Sequence, residues 1–289
     1  MFLSTIFVVA ALFAQKGEIP DKYLLPAPAS DKVVARVDGV SIKASEVEAL
    51  LWEWRGQEAL ADLISFRMMK NAAEKMKITV SDVDVQKELD TQISQISPAA
   101  TGGKPVDVYL LEQGFTKSRL WLRIKTELLL NKMASKDFAA ADYVKVSTIV
   151  VRPESTSTAA MAAAAKKADV FYDMLNKGES WDKVLRLSTI DERTVESKGL
   201  VGWRRIEAFP FEIQQEFLKA KAGGFTKPKQ TNNGFQIFRL EMLGKDAKDQ
   251  DLADAETIHI QSTKPTIASK IRTESKVERF LQNSGGGQP

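Results

Sequence analysis

The sequence predicts an α+β protein of two domains: a helical one over residues 33–143 and a compact α+β one over residues 144–243. Three observations predict it. Apolar residues recur at helical spacing through most of the first region. At Val144 the pattern changes to the β-branched run VKVSTIVV, closed by Pro153, as expected of a buried strand. From there the order strand, helix, helix, loop, helix, strand runs to Leu243, a span of ordinary domain size. A chain of 289 residues is long enough to bury two such cores.

Taken in order, residues 2–14 (FLSTIFVVAALFA) form an uncharged apolar run too short to span a bilayer comfortably but right for a secretory signal, with Ala14 as a small residue for cleavage. No Lys or Arg precedes the run, so an uncleaved anchor is the alternative. Residues 15–32, with Pro20, Pro26 and Pro28, read as an extended linker. VVARVDGVSI alternates around Asp38-Gly39, a turn dipeptide that tolerates positive φ, and predicts a hairpin. Ser45 and Glu48 are spaced as a capping box for a helix carrying Val47, Leu50, Leu51 and Trp54. A second helix carries Leu60, Leu63, Ile64 and Met68, and a third starts near Ser81 with Val85, Leu89, Ile93 and Ile96 on one face. Residues 98–105 contain two prolines and two glycines and break the pattern; another helix begins near Thr116 with Leu120, Ile124 and Leu128.

In the second domain the alanine-rich residues 158–177 form a helix stopped by Gly178, and Ser180 caps a short helix through Leu187. A helix over about 211–221 and the strand GFQIFRLEML follow. Residues 244–289 are expected to be a charged connector, a helix over 266–282 with Ile267, Ile271, Val277 and Leu281 available for docking on the N-terminal helices, and a disordered tail SGGGQP.

Composition excludes several functions. Basic and acidic residues, 41 against 38, are interleaved, which leaves no electrostatic footprint for nucleic acid. Without cysteine there is no thiol catalysis, disulfide or thiolate metal site, and His259 alone cannot build a multi-histidine one. No G-x-S-x-G, Walker loop or HExxH is present, and neither metal nor cofactor is expected. His259, in TIHIQS, reads as an ordinary polar residue in a strand-like alternation.

Ordered blocks in residues 144–243 resemble the parvulin (PpiC-type) family of peptidyl-prolyl isomerases. VSTIVV (146–151) is similar to the family's first strand, GLVGW (199–203) to its G-D-L-G-W block, Gly223 and Pro228 to its glycine and G-P proline, and GFQI (234–237) to its G-Y-H-I block. VARVDGVSI, KITVSDVDVQKEL and LRIKTELLLNKM in residues 33–133 resemble the helical part of SurA- and PrsA-type chaperones. The resemblance implies a helical chaperone domain, an FKBP-like α+β parvulin domain, and a C-terminal helix returning to the first.

It also implies where chemistry belongs. Prolyl isomerisation breaks no bond; a catalyst lowers a barrier of roughly 20 kcal/mol by holding the twisted amide in a dry pocket. The family's two histidine positions carry Thr148 and Gln236, and its Cys/Asp position falls nearest Asp191 or Glu192. Its proline-pocket positions carry Val201, Phe209 and Ile213, which form either an apolar cup or plain core, with Asn233 and Gln236 available to hydrogen-bond peptide. Trp52, Trp54, Phe66, Met68, Met69, Met76 and Trp121 are divided between packing and an adaptable client surface. The implied function is an extracytoplasmic chaperone, exported to the periplasm or elsewhere outside the cytoplasm, with isomerase activity weak or lost. The alternatives are an active isomerase working through pocket shape and an envelope scaffold. Partners are unfolded or proline-containing polypeptides, not nucleic acid, with membrane attachment through residues 2–14 if that run is retained.

Overall fold

The computed structural model describes residues 17–280 except residue 25, so the apolar run 2–14 and Leu281 with the tail beyond it lie outside the described residues. The chain divides into two compact units, residues 1–133 with 266–289, and residues 134–265.

In the first unit, β1 (Val33–Val37) and β2 (Val40–Lys43) pair antiparallel about a turn in which Asp38 (φ 50°) and Gly39 (φ 84°) both take the positive φ that their sequence favours. One helix, α1 (Ala44–Lys75), replaces the two expected over this stretch, because no proline interrupts it and the Trp52 ring lies against the single interior glycine, Gly56. It starts a residue earlier than Ser45, with the Glu46 carboxylate accepting the Lys43 N–H at 2.9 Å, so Glu48 closes no capping box. Then come α2 (Asp82–Ser94), capped by Ser81 through the Asp84 N–H at 3.1 Å, and the short α3 (Pro98–Thr101) and α4 (Val106–Glu112), followed by α5 (Lys117–Ser135). Phe66, Met69 and Ala73 of α1 pack against Leu122, Leu129 and Met133 of α5. A second cluster joins Val85 and Leu89 to Trp121 and Ile124. Phe66, Met69 and Trp121 are therefore core, whereas Trp52 and Trp54 are exposed.

The segment expected to be a linker is instead fastened down. Ile19 packs against both clusters, Tyr23 lies on Trp121, and the Trp121 indole N–H donates to the Glu18 carbonyl at 3.0 Å. The Glu18 carboxylate accepts from Lys70 and, at 3.2 Å, from Lys125. Burial pushes its pKa up, but the Lys70 and Lys125 ammoniums outweigh that and hold it below the usual value. Asp62 behaves alike: burial raises it, and hydrogen bonds from Arg123 (3.0 Å) and Arg119 (2.7 Å) bring it down. A carboxylate depressed in the folded state adds stability above its unfolded pKa of about 4, lost as pH falls through the lower folded value. Glu18→Gln with Asp62→Asn is thus expected to lower stability near neutral pH and to flatten its decline below about pH 4, read by urea titrations across that range.

The second unit is built on β3 (Tyr143–Val151). It continues through α6 (Thr158–Asn176), α7 (Trp181–Ser188, capped by Ser180), α8 (Glu192–Glu196), β4 (Leu200–Arg205), α9 (Phe211–Lys219), β5 (Lys229–Thr231) and β6 (Gly234–Leu243). The sheet is antiparallel in the order β4-β3-β6-β5, with Ile149 opposite Ile237 and Val150 opposite Gln236. Alternation along β3 divides its side chains between two faces. Ile149 and Val151 join Ile237 beneath α6 and α7, and Val144 and Val146 join Phe238 and Leu240 beneath Ile213 and Phe217 of α9.

The last helix, α10 (Asp249–Glu274), begins well before the expected residue 266 and ends before 282. The supposed connector is its first half, which puts Ala255 against Tyr143 and Trp203 in this unit and pairs Asp251 with Lys145 at 2.7 Å. Its last turns place Ala268 and Ile271 in the first unit's core, while Val277 lies beyond its end and is exposed. Among the described residues no helix is long and apolar enough to cross a membrane.

Candidate functional site

On the face of the sheet that α9 covers at one end, the half-buried Thr148 and the buried Gln236 sit on neighbouring strands. The Gln236 amide donates to Thr148 Oγ1 at 3.3 Å, and Thr148 Oγ1 in turn lies 3.3 Å from the Ile237 carbonyl. On the other side the Thr231 hydroxyl donates to Gln236 Oε1 at 2.6 Å. The result is a neutral ladder, Thr231 to Gln236 to Thr148 to main chain, in which each hydroxyl proton has an acceptor. It offers no group that takes up or gives up a proton near neutrality. Thr231 was missed in the sequence, although the hairpin TNNG sets it opposite Gly234 and thus beside the strand that carries Gln236.

Beside the ladder lie the apolar positions. Ile213 is wholly buried; Val201 and Phe209 are half-buried against the same cluster. Phe209 meets the rings of Phe217 (5.1 Å) and Phe238 (5.3 Å) edge to face, an arrangement that fixes its ring. What remains open for an apolar side chain is therefore Val201 and Phe209, with Ile213 supporting them from below.

Of the two acids, Asp191 lines one cleft with Thr148 and Val201, whereas Glu192 does not line it. Asp191 is exposed and caps α8, its carboxylate accepting the Thr194 N–H (3.1 Å) and hydroxyl, which hold it below the usual carboxylate range. Glu192 is exposed in the first turn of α8. Asn233 is exposed at the tip of the β5–β6 hairpin, its N–H on Thr231 Oγ1. His259 stands on α10, not in a strand; it is buried, with Nδ1 2.7 Å from the Tyr143 hydroxyl, whose pKa burial raises. Among the described residues no three His, Cys, Asp or Glu side chains cluster to hold a metal.

Residues 149–242 match the family described as Rotamase: PPIC-type PPIASE domain. The chain carries a PPIC-type domain. The match begins one residue past Thr148 and takes in Asp191, Val201, Phe209, Ile213 and Gln236. Around the PPIC-type domain the likeness extends to Chaperone SurA of Pseudomonas syringae pv. syringae, 29% identical over 170 residues, 55% of this chain and 39% of that protein. Chaperone SurA of Pseudomonas fluorescens is 22% identical over 294 residues, 88% of this chain and 66% of that one. The chain thus spans less than two thirds of the length of these relatives. Among solved structures, peptidylprolyl isomerase PrsA from Bacillus cereus aligns with a TM-score of 0.43 and 16% identity, over 88% of this chain and 96% of that one.

Proposed function

We propose that this chain is an exported folding chaperone of the parvulin/SurA-PrsA type, periplasmic or otherwise extracytoplasmic, which holds unfolded or proline-containing polypeptide and has weak or no isomerase activity. One observation carries the reading: an apolar groove of about 560 Å³ in the helical unit. Its floor is the buried Leu122, and Leu51, Leu63 and Leu111 stand exposed on its rim. The exposed Trp52 and Trp54 extend the apolar surface along α1. Apolar patches of this kind mark binding sites rather than incidental exposure. Arg119, paired to Asp62, keeps one wall polar and gives a client's main chain somewhere to hydrogen-bond.

The test is suppression of aggregation of a chemically unfolded client by the full chain. Leu51→Ser with Leu63→Ser and Leu111→Ser is expected to abolish most protection while changing stability by only about 0.5 kcal/mol per site, since these side chains are exposed. Unchanged protection by a folded triple variant removes the groove from the mechanism. A second reading, an isomerase acting through shape alone, is favoured by the exposure that Val201 and Phe209 retain beside the ladder.

A further inference from the structure

Strand β3 outruns its neighbour β4. Pairing between them covers Tyr143–Ser147 and ends with the Thr148 N–H on the Gly199 carbonyl at 2.9 Å, whereas β6 accompanies β3 to Val151. In an antiparallel sheet successive residues turn their N–H and C=O to opposite neighbours. With Thr148 facing β4 and Ile149 facing β6, the main-chain groups of Val150 face the side that β4 has left. That side is a cleft of about 740 Å³ between the end of β3 and residues 185–200, a volume in the usual range of ligand sites.

Its walls have two properties. Leu187, Ile190 and Leu200 form an apolar rim, and Ile190 is 99% exposed. Arg152, Lys167 and Arg186 also line it, all exposed and none in an ion pair among the described residues; Lys167 only overlies the Phe171 ring. The single acid of the lining, Asp191, is engaged by Thr194. An unpaired length of strand edge, an apolar rim and surplus cations together specify an extended chain with apolar and acidic side chains in alternation.

We propose that this cleft receives an extended, acidic-apolar segment of client polypeptide as a short added strand along Val150, with an apolar side chain against Ile190 and Leu200 and a carboxylate among Arg152, Lys167 and Arg186. The proposal rests on the reading that the chain binds unfolded polypeptide, and the cleft adjoins the Thr148–Gln236 ladder, since Thr148 and Val201 also line it. The open edge is three residues long, so the added strand extends about 10 Å.

The probe is a fluorescein-labelled peptide of alternating valine and aspartate, titrated into the full chain by anisotropy, with the Val150 amide followed by NMR. Binding is expected to protect that amide from exchange. It is expected to weaken about tenfold or more when lysine replaces aspartate, when alternate peptide nitrogens are methylated, or in the R152E/K167E/R186E variant. Methylation alters only the peptide, so a folding defect in the variant cannot mimic its effect. Equal affinity for acidic, basic and methylated peptides, or protection at Phe209 in place of Val150, overturns the proposal; so does an absence of binding, which would make the cations mere guards of a bare edge. Client protection in the aggregation assay is a separate readout. If it persists while peptide binding fails, the strand-addition site falls and the chaperone reading stands.

Discussion

With Thr148 and Gln236 in place, the full chain is expected to leave cis–trans exchange of a proline-containing peptide at its spontaneous pace, tens to hundreds of seconds at about 25 °C. The ladder is the reason: its donors and acceptors are spent on Thr231, on one another and on the Ile237 carbonyl. Help for a twisted amide must come from groups poised for it, and these would first have to break bonds of their own. T148H with Q236H is expected to add no turnover, because Asp191 is committed to capping α8 and supplies no third member. NMR exchange spectroscopy on a labelled peptide measures both chains. Rapid exchange with the unmodified chain, lost in Phe209→Ala, would make the shape-driven isomerase the right reading.

Gly199→Ala is expected to destabilise the unit of residues 134–265 by about 2–6 kcal/mol, combining about 1–3 for a side chain at positive φ with about 1–3 for overpacking. Gly199 has φ 69°, and an added Cβ would fall 2.4 Å from the Thr148 carbonyl oxygen. That is a large part of the about 5–15 kcal/mol that holds a domain folded. Gly202, three residues on and within β4 at φ 83°, has nothing within 4 Å of the same position. Gly202→Ala therefore carries the conformational cost alone, and the difference between the two midpoints in urea isolates the contact. Equal midpoints would show that β4 shifts freely and that the end of its pairing is not fixed.

The parts of the fold legible in the sequence are those where local and tertiary preferences agree. The Asp38-Gly39 turn, the Ser81 and Ser180 caps and the β-branched run of β3 each have one strong local solution, and the structure adopts it. The start of α10 was hidden because Leu252, Ala255 and Ile258 are few among charges and Pro265 reads as a breaker. The fastening of residues 18–23 was hidden because it depends on Trp121, about a hundred residues away, to which no local pattern points. At the site, the sequence named Thr148 and Gln236 but not their mutual bond; β3–β6 register makes them neighbours, and register is a property of the assembled sheet. Ile213 could be read as cup or core from sequence, and its full burial on the inner face of α9 makes it support.

The position of Glu18 would give any trimming of the N-terminus a bearing on folding. Removal of a leader ending near Ala14 would leave Glu18 three residues inside the new terminus, still lodged between Lys70 and Lys125. A peptidase trimming past Glu18 would strip that anion from both lysines and take the carbonyl that receives the Trp121 indole. Species differing by a few terminal residues would then differ in lifetime, and the form that keeps Glu18 would accumulate by outlasting the rest.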